Sequence, residues 1–394
     1  MAILTVNAGS SSLKFSLYPL IDGQVQAQVL NGNTEGLEPG GAPEMRWTYQ
    51  GESQTQALFL GTEQVFSKAL LSLRDLLAQL PGAPAIVAVA HRVVHGAASY
   101  RESVIVDADI LAKLTSFNSL APLHQPHNLD GIRAFQEAFS GLPQVACFDT
   151  AFHATLPEVD YRFALPESLY QLGLRRYGFH GLSYQYVMGT LLEHSSRASG
   201  RVLMAHLGNG ASLCAARDGK SCATTMGFSA LDGLLMGTRT GALDPGVLLY
   251  LLEQGWDHAR LQKLFYKQSG LLGVSGISAD MRRLRADTSA SARLAIDMFT
   301  YRLVRESGGL IAALQGLDVL AFSGGIGEHD VGLRTELGKR LAWIGVEIDP
   351  ELNAQATRDA VIAIHTPTSR VEVWVVPTDE GVVTAREAAR LIKA

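Results

Sequence analysis

Apolar runs that break into Gly/Ser turns recur along this chain and predict strands joined by tight bends. Residues 2–30 contain an apolar run, a GSSS turn, a second run and then Asp22-Gly23. That is the pattern of two strands with an Asp-Gly hairpin signal after the second. Residues 31–44, NGNTEGLEPGGAPE, are rich in Gly and Pro and predict a loop. Over 62–80, Val65, Ala69, Leu70, Leu73, Leu76 and Leu77 fall at helical spacing. AIVAVAHRVVHG at 85–96 reads as a buried strand that ends among polar residues.

The second half repeats this order. RVLMAHLGNGASLCAARDGK at 201–220 is again strand, Gly-rich turn, strand and Asp218-Gly219. Ser12-Leu13 and Ser212-Leu213 follow the two turns, so the hairpins read as copies of one unit, although any two units of this kind share such features. Residues 285–314 carry a helical pattern, LDVLAFSGGIGE at 317–328 predicts strand, turn and helix start, and 371–381 a last strand before a helix over 382–394. Alternation of strands and helices predicts an α/β fold with a mostly parallel or mixed sheet. The expected hinge lies near residue 150, with the two hairpin turns facing a shared cleft.

Composition narrows the classes of function. The 394 residues carry 33 basic and 38 acidic side chains, which gives no basic footprint for nucleic acid and no polybasic membrane anchor. Three cysteines, Cys147, Cys214 and Cys222, form no CxxC pair and fit a reducing compartment. No apolar run reaches the ~20 residues of a membrane span, and the N-terminus lacks a signal-peptide pattern. The expected setting is cytoplasmic.

Three turns, in VNAGSSSLKFSLY at 6–18, AHLGNGASL at 205–213 and VLAFSGGIGE at 319–328, let backbone N–H groups approach an anion. Spread across the chain, they point to a nucleotide and to phosphoryl transfer. That chemistry needs cations, a metal-holding oxygen and an aligned acceptor. Lys14, Arg92 and Arg239 supply cations beside Gly-rich or apolar segments, where the alternative is a solvated surface arginine. His124, His180 and His206 adjoin Gly, Pro or aromatic residues and serve equally as core hydrogen-bonders or as donors to developing charge. Asn7, Asp149 and Glu380 end apolar runs, placed to act as base, metal ligand or turn former. Walker-A, protein-kinase, dinucleotide and zinc motifs are absent.

These motifs, with AHRVVHG, APLHQPHN, FDTAFH, RRYGFHG, MGFSALDGLLMGTRTG, SGLLGVSGISADMR and PTDEG, run in order over residues 6–381. In that order they resemble the acetokinase family, within the actin-like and sugar-kinase superfamily. The resemblance implies two domains with duplicated ribonuclease-H-like (actin-like ATPase) cores around an interdomain cleft. Residues 1–150, joined by the C-terminal helix at about 382–394, would form the first, and 151–381 the nucleotide-binding and dimerisation domain. It further implies a homodimer that transfers phosphoryl reversibly between ATP and acetate, giving acetyl phosphate and ADP. Mg²⁺ would assist, with Mn²⁺ as a substitute; nucleic acid and membrane are not expected partners.

By motif, Asn7 and Glu380 would hold the metal, and Lys14 would approach the nucleotide phosphates, with Ser10, Ser12 and His124 nearby. Arg92 would bind the acid or its phosphate. Asp149 would be the catalytic acid/base, but a carboxylate acceptor has no proton to remove, which favours an orienting or metal-organising role. His180 and Arg239 would stabilise the transferring group. His206, Leu207, Gly208, Asn209 and Gly210, then Asp280, Met281 and Arg282, then Gly324, Gly325, Ile326, Gly327 and Glu328 would wrap the nucleotide. Val94, Leu123, Phe179 and Ala230 would wall the acyl pocket, where the family usually carries proline at the place of Ala230. Tyr184 stands where a histidine is usual, and Ala242 where an acid is usual; both are expected to lie away from the chemistry. The alternatives are a propionate or butyrate kinase and a catalytically silent nucleotide-binding regulator.

Overall fold

The structure is a computed structural model that describes residues 1–392, apart from Ser10, Pro39, 60–64, Leu123 and 357–359. It divides into two units, Met1–Ala151 with Asp379–Ala394, and Phe152–Thr378.

The first unit is built on strands β1 (Ala2–Ala8), β2 (Leu13–Ile21), β3 (Gln24–Val25), β4 (Leu30–Glu35), β5 (Glu44–Tyr49), β6 (Glu52–Ala57), β7 (Ile86–Val93), β8 (Val104–Ile105) and β9 (Gln144–Phe148). Their order is β6-β5-β4-β2-β1-β7-β9-β8, with β3 paired to β2. Central β1 is buried on both faces, as its unbroken apolar run requires. Asp22 and Gly23 both take positive φ, 51° and 72°, the geometry that makes Asp-Gly a hairpin signal.

Residues 31–44 are not one loop. Their first five residues belong to β4, which pairs with β2 and β5. Gly32 breaks the strand signal in the sequence, yet it is what the strand needs. A Cβ there would overlap the Phe15 ring and the Arg46 carbonyl. The helix predicted over 62–80 is Val65–Gln79; 62–64 lie outside the described residues. The C-terminal helix, Glu380–Ile392, begins at Glu380 rather than two residues later and packs on β1 and β7.

The second unit contains β10 (Arg201–Leu207), β11 (Ala211–Arg217), β12 (Lys220–Thr224), β13 (Val319–Ser323), β14 (Ile362–Ala363) and β15 (Glu372–Val375), in the order β12-β11-β10-β13-β15-β14. Asp218 and Gly219 repeat the positive-φ pair. The helical pattern over 285–314 forms one helix, Ala290–Leu314, preceded by a short one, Met281–Ala286. GGIG is not a turn before a helix. The helix starts at Gly324 itself.

The path β4-β2-β1-β7-β9 of one unit matches β12-β11-β10-β13-β15 of the other. In each, two antiparallel pairings are followed by two parallel ones. The duplication therefore lies in the topology. The Ser-Leu pairs are not its equivalent positions, because the turns differ in length. Ser12 precedes β2, whereas Ser212 lies inside β11 opposite His206. Among the described residues no helix is long and apolar enough to cross a membrane.

Candidate functional site

In the first unit, three of the candidate residues, Arg92, Asp149 and Glu380, gather where β7 and β9 end. Arg92 and Cys147 are register partners on these strands, and Cys147 Sγ reaches the Thr384 carbonyl of the C-terminal helix. Arg92 on this face thus meets the start of that helix. Its Nε lies 3.0 Å from Asp149 Oδ1 and its Nη2 2.7 Å from Asp149 Oδ2, a bidentate pair. Its Nη1 lies 3.2 Å from Glu380 Oε2. Asp149 is only 3% exposed at its side chain, against 27% for Arg92. Burial by itself would lower the Arg92 pKa, but the two carboxylates outweigh it and raise it, so the guanidinium is permanently charged.

Local structure fixes these groups. The Asp149 N–H donates to the Val93 carbonyl, which anchors the residue as its strand ends. Asp379 accepts from the Val382 N–H at 2.9 Å and from the Tyr18 hydroxyl at 2.8 Å, so it holds the helix start that carries Glu380. Gly381 permits this, since a Cβ there would strike the Tyr18 oxygen. Asn128 ties the helix Gln125–Ala138 to two site loops, with Nδ2 on the Ala8 carbonyl at 2.7 Å and Oδ1 accepting from Val94 N–H at 3.0 Å. Asn7 and Lys14 face each other across β1 and β2, which sets them on one side of the sheet. Lys14 is exposed, Ser12 half-buried, and His124 exposed just before the helix Gln125–Ala138. Leu123 and Ser10 lie outside the described residues.

In the second unit, His180 takes a left-handed conformation, φ 58°, at the head of the helix Gly181–His194. A non-glycine residue held there marks a site that its surroundings over-determine. His180 Nδ1 lies 2.9 Å from Ser212 Oγ, and its ring stacks on His206 with centroids 4.2 Å apart. His206 Nδ1 in turn meets Ser183 Oγ at 2.8 Å. Gly210 closes against this pair. A Cβ on it would sit 3.2 Å from His180 Nε2 and 3.8 Å from Arg239 Nη1. That nitrogen of Arg239 donates to the Ala230 carbonyl at 3.1 Å. Ala230 therefore anchors Arg239 through its backbone, and its side chain is free to differ from proline without loosening that bond. Phe179 is buried, and its carbonyl lies 3.0 Å from His153 Nε2.

The three remaining motifs meet at one cavity of about 920 Å³. Gly208 and Asn209 line it from the first, Asp280, Met281 and Arg282 from the second, Gly325 and Ile326 from the third. The Asn209 side chain packs where a Cβ on Gly237 would be, and the Gly237 N–H donates to the Asn209 carbonyl. Asp280 is the N-cap of its short helix. Hydrogen bonds from the Arg282 side chain and backbone N–H pull its pKa down to about 2. Gly324 and Gly327 are buried, and Leu207 is fully buried inside β10. The Glu328 carboxylate accepts from the Gly324 N–H at 2.7 Å and the Thr378 N–H at 3.2 Å, so it braces the glycine segment.

Sequence reasoning missed Ala279, Arg285, His329, Asp330 and Val331 in the same cavity. Arg285 stands one helical turn beyond Arg282 and pairs with Asp330 at 2.6 Å, so i,i+3 spacing was the available signal. It also missed Ser183, Ser212 and Asn128, whose value lies in contacts distant along the chain. Tyr184 does not lie away from the candidate site. Its hydroxyl reaches Ser212 Oγ, the same oxygen that meets His180.

The two like sheets and these clusters define a duplicated α/β protein of the actin-like ATPase type. The acetokinase family model matches residues 2–386, and the chain belongs to that family. It is 46% identical to an acetate kinase of Rhodopseudomonas palustris over 99% of this chain and 98% of that one. It is 43% identical to an acetate kinase of Rhizobium meliloti over 100% of this chain and 99% of that one. A propionate kinase from Francisella tularensis superposes with a TM-score of 0.91 at 35% identity, covering 99% of both chains. Porphyromonas gingivalis acetate kinase superposes at 0.86 and 35% identity, covering 100% of this chain and 99% of that one.

Proposed function

We propose that this chain is an acetate kinase, transferring phosphoryl reversibly between ATP and acetate to give acetyl phosphate and ADP. The observation that carries the kinase reading is the single cavity lined by three glycine- or Asp-Arg-bearing motifs that lie far apart in sequence. The naming of relatives as acetate kinases at 46% identity supports the choice of acid. Acetate-dependent release of ADP from ATP tests the reading directly.

In this reading the acid is already ionised, so no general base is required. Arg92 binds its carboxylate or the acyl phosphate. Both Asp149 oxygens are engaged by Arg92, so Asp149 orients that guanidinium rather than moving a proton. His180 and Arg239 donate to the equatorial oxygens of the transferring group, where charge develops. The cavity takes the adenosine moiety, and the segments HLGNG and GGIGE offer backbone N–H groups to the phosphates.

Among the described residues no group of three or more His, Cys, Asp or Glu could hold a metal ion. Mg²⁺ suits such a chain, because it commonly takes one or two protein oxygens and completes its shell with phosphate and water. Asn7 and Glu380 would hold it, and when bound it neutralises phosphate charge; Mn²⁺ has the same oxygen preference.

Two further expectations follow from this reading. Ala230 leaves the acyl pocket without a proline ring, and a propionate kinase superposes closely on the chain. The ratio of kcat/KM for acetate over propionate should fall about tenfold below that of a proline-bearing relative, within the ~1–3 kcal/mol that one methylene commands. An unchanged ratio removes the specificity claim. The chain also acts as a homodimer. The helix Pro245–Glu253 buries none of its residues within the unit and leaves Leu249 60% and Tyr250 59% exposed. Light scattering should give twice the chain mass, and Leu249→Glu should shift the protein toward monomer. The free thiols of Cys147, Cys214 and Cys222 support a cytoplasmic setting.

A further inference from the structure

The rear of His180 carries a hydrogen-bond chain that the site motifs do not account for. Tyr184 lies one turn into the helix that His180 heads and is 0% exposed. Its hydroxyl is 2.5 Å from Ser212 Oγ, and Ser212 Oγ is 2.9 Å from His180 Nδ1. Ser212 is held in place by β11, opposite His206.

The chemistry of these groups gives the chain a direction. Burial raises the Tyr184 pKa well above 10, so the phenol keeps its proton. Ser212 Oγ lies within hydrogen-bond distance of the phenol, where either hydroxyl could donate, and the His206 backbone also hydrogen-bonds the phenol oxygen. A buried donor left without an acceptor is costly, which favours the phenol as the donor to Ser212. The serine hydroxyl has one proton, and its other neighbour is His180 Nδ1. With the phenol as donor, Ser212 donates to Nδ1. A neutral imidazole that accepts at Nδ1 bears its own proton on Nε2. Nε2 is the ring nitrogen that faces Gly210, on the side approached by Arg239.

We propose that Tyr184 is a positioning residue which, through Ser212, fixes neutral His180 as the tautomer protonated on Nε2. Its catalytic consequence rests on the acyl-phosphate reading above; the tautomer itself does not. With Nε2–H supplied, His180 donates to a phosphoryl oxygen while still uncharged. Without Tyr184, the serine hydroxyl is released to rotate, Nδ1–H becomes available to donate to it, and Nε2 turns into an acceptor that repels phosphate oxygen.

The test uses the full-length protein labelled with ¹⁵N-histidine, the His180 signals being assigned by their loss in His180→Ala. Wild type should show neutral His180 protonated on Nε2, and Tyr184→Phe should add the Nδ1-protonated form. The same variant should lose about tenfold in kcat with KM for acetate and ATP little changed, as expected for misplacing one proton donor. Ser212→Ala should cause both effects, and combining it with Tyr184→Phe should add nothing, because the two act in series. Tyr184→His, which keeps a ring donor toward Ser212, should restore the tautomer and guards against a simple packing defect. Neutral His180 protonated on Nδ1 in wild type, or an unchanged tautomer in Tyr184→Phe, overturns the proposal. If wild type makes no acyl phosphate, the activity reading fails alone and the tautomer signals still decide this one.

Discussion

Arg239→Ala should lower kcat by about 10²–10³-fold while changing the KM for ATP by no more than about threefold. One nitrogen of this guanidinium is tethered to the Ala230 carbonyl and approaches the Met236 sulfur at 3.8 Å, which fixes the direction of the rest. Gly210 lets it approach the edge of His180. On the proposed function, a cation so held costs no reorganisation when charge spreads over the transferring phosphoryl group, and its expected effect is on the transition state. Loss of its tether should cost only about 1 kcal/mol of stability. Thermal unfolding therefore separates the two effects. A large rise in KM with kcat intact would assign Arg239 to ground-state nucleotide binding instead.

Arg92→Met should give the largest loss of stability among the site variants, together with loss of activity. Asp149 is nearly inaccessible and spends both oxygens on Arg92. Removing the guanidinium takes its cationic partner from a buried carboxylate, which typically costs 3–5 kcal/mol. Because Arg92 itself is 27% exposed, solvent screening puts the expected value near the lower end, about 3 kcal/mol. The double variant Arg92→Met/Asp149→Leu should regain much of that stability and none of the activity. Denaturant unfolding of the three proteins checks this. Equal stability of Arg92→Met and wild type would contradict the coupling.

The strands that carry the site were legible because burial on both faces writes an unbroken apolar run, as in β1, β10 and β13. The Asp-Gly bends were legible because both residues must take positive φ. Gln50-Gly51 takes the same conformation between β5 and β6, but β6 is exposed throughout, so no alternation marks it. In β4, a glycine demanded by the Phe15 ring imitates a loop. The motifs lining the cavity were legible because glycines and Asp-Arg pairs keep their meaning locally. Ser212, Tyr184 and Asn128 were not, because each works through a partner that only the fold brings near. The duplication itself was legible in outline, whereas its register depended on the difference in turn length.

Acyl phosphate formation is the activity that most directly distinguishes a carboxylate kinase from a silent nucleotide-binding protein. Incubating the protein with ATP, Mg²⁺, acetate and hydroxylamine traps acetyl phosphate as acetohydroxamate. Wild type should accumulate the hydroxamate in step with ADP, and His180→Ala should yield almost none. A wild-type signal no greater than that of His180→Ala would contradict the account and leave a nucleotide-binding protein without the transfer.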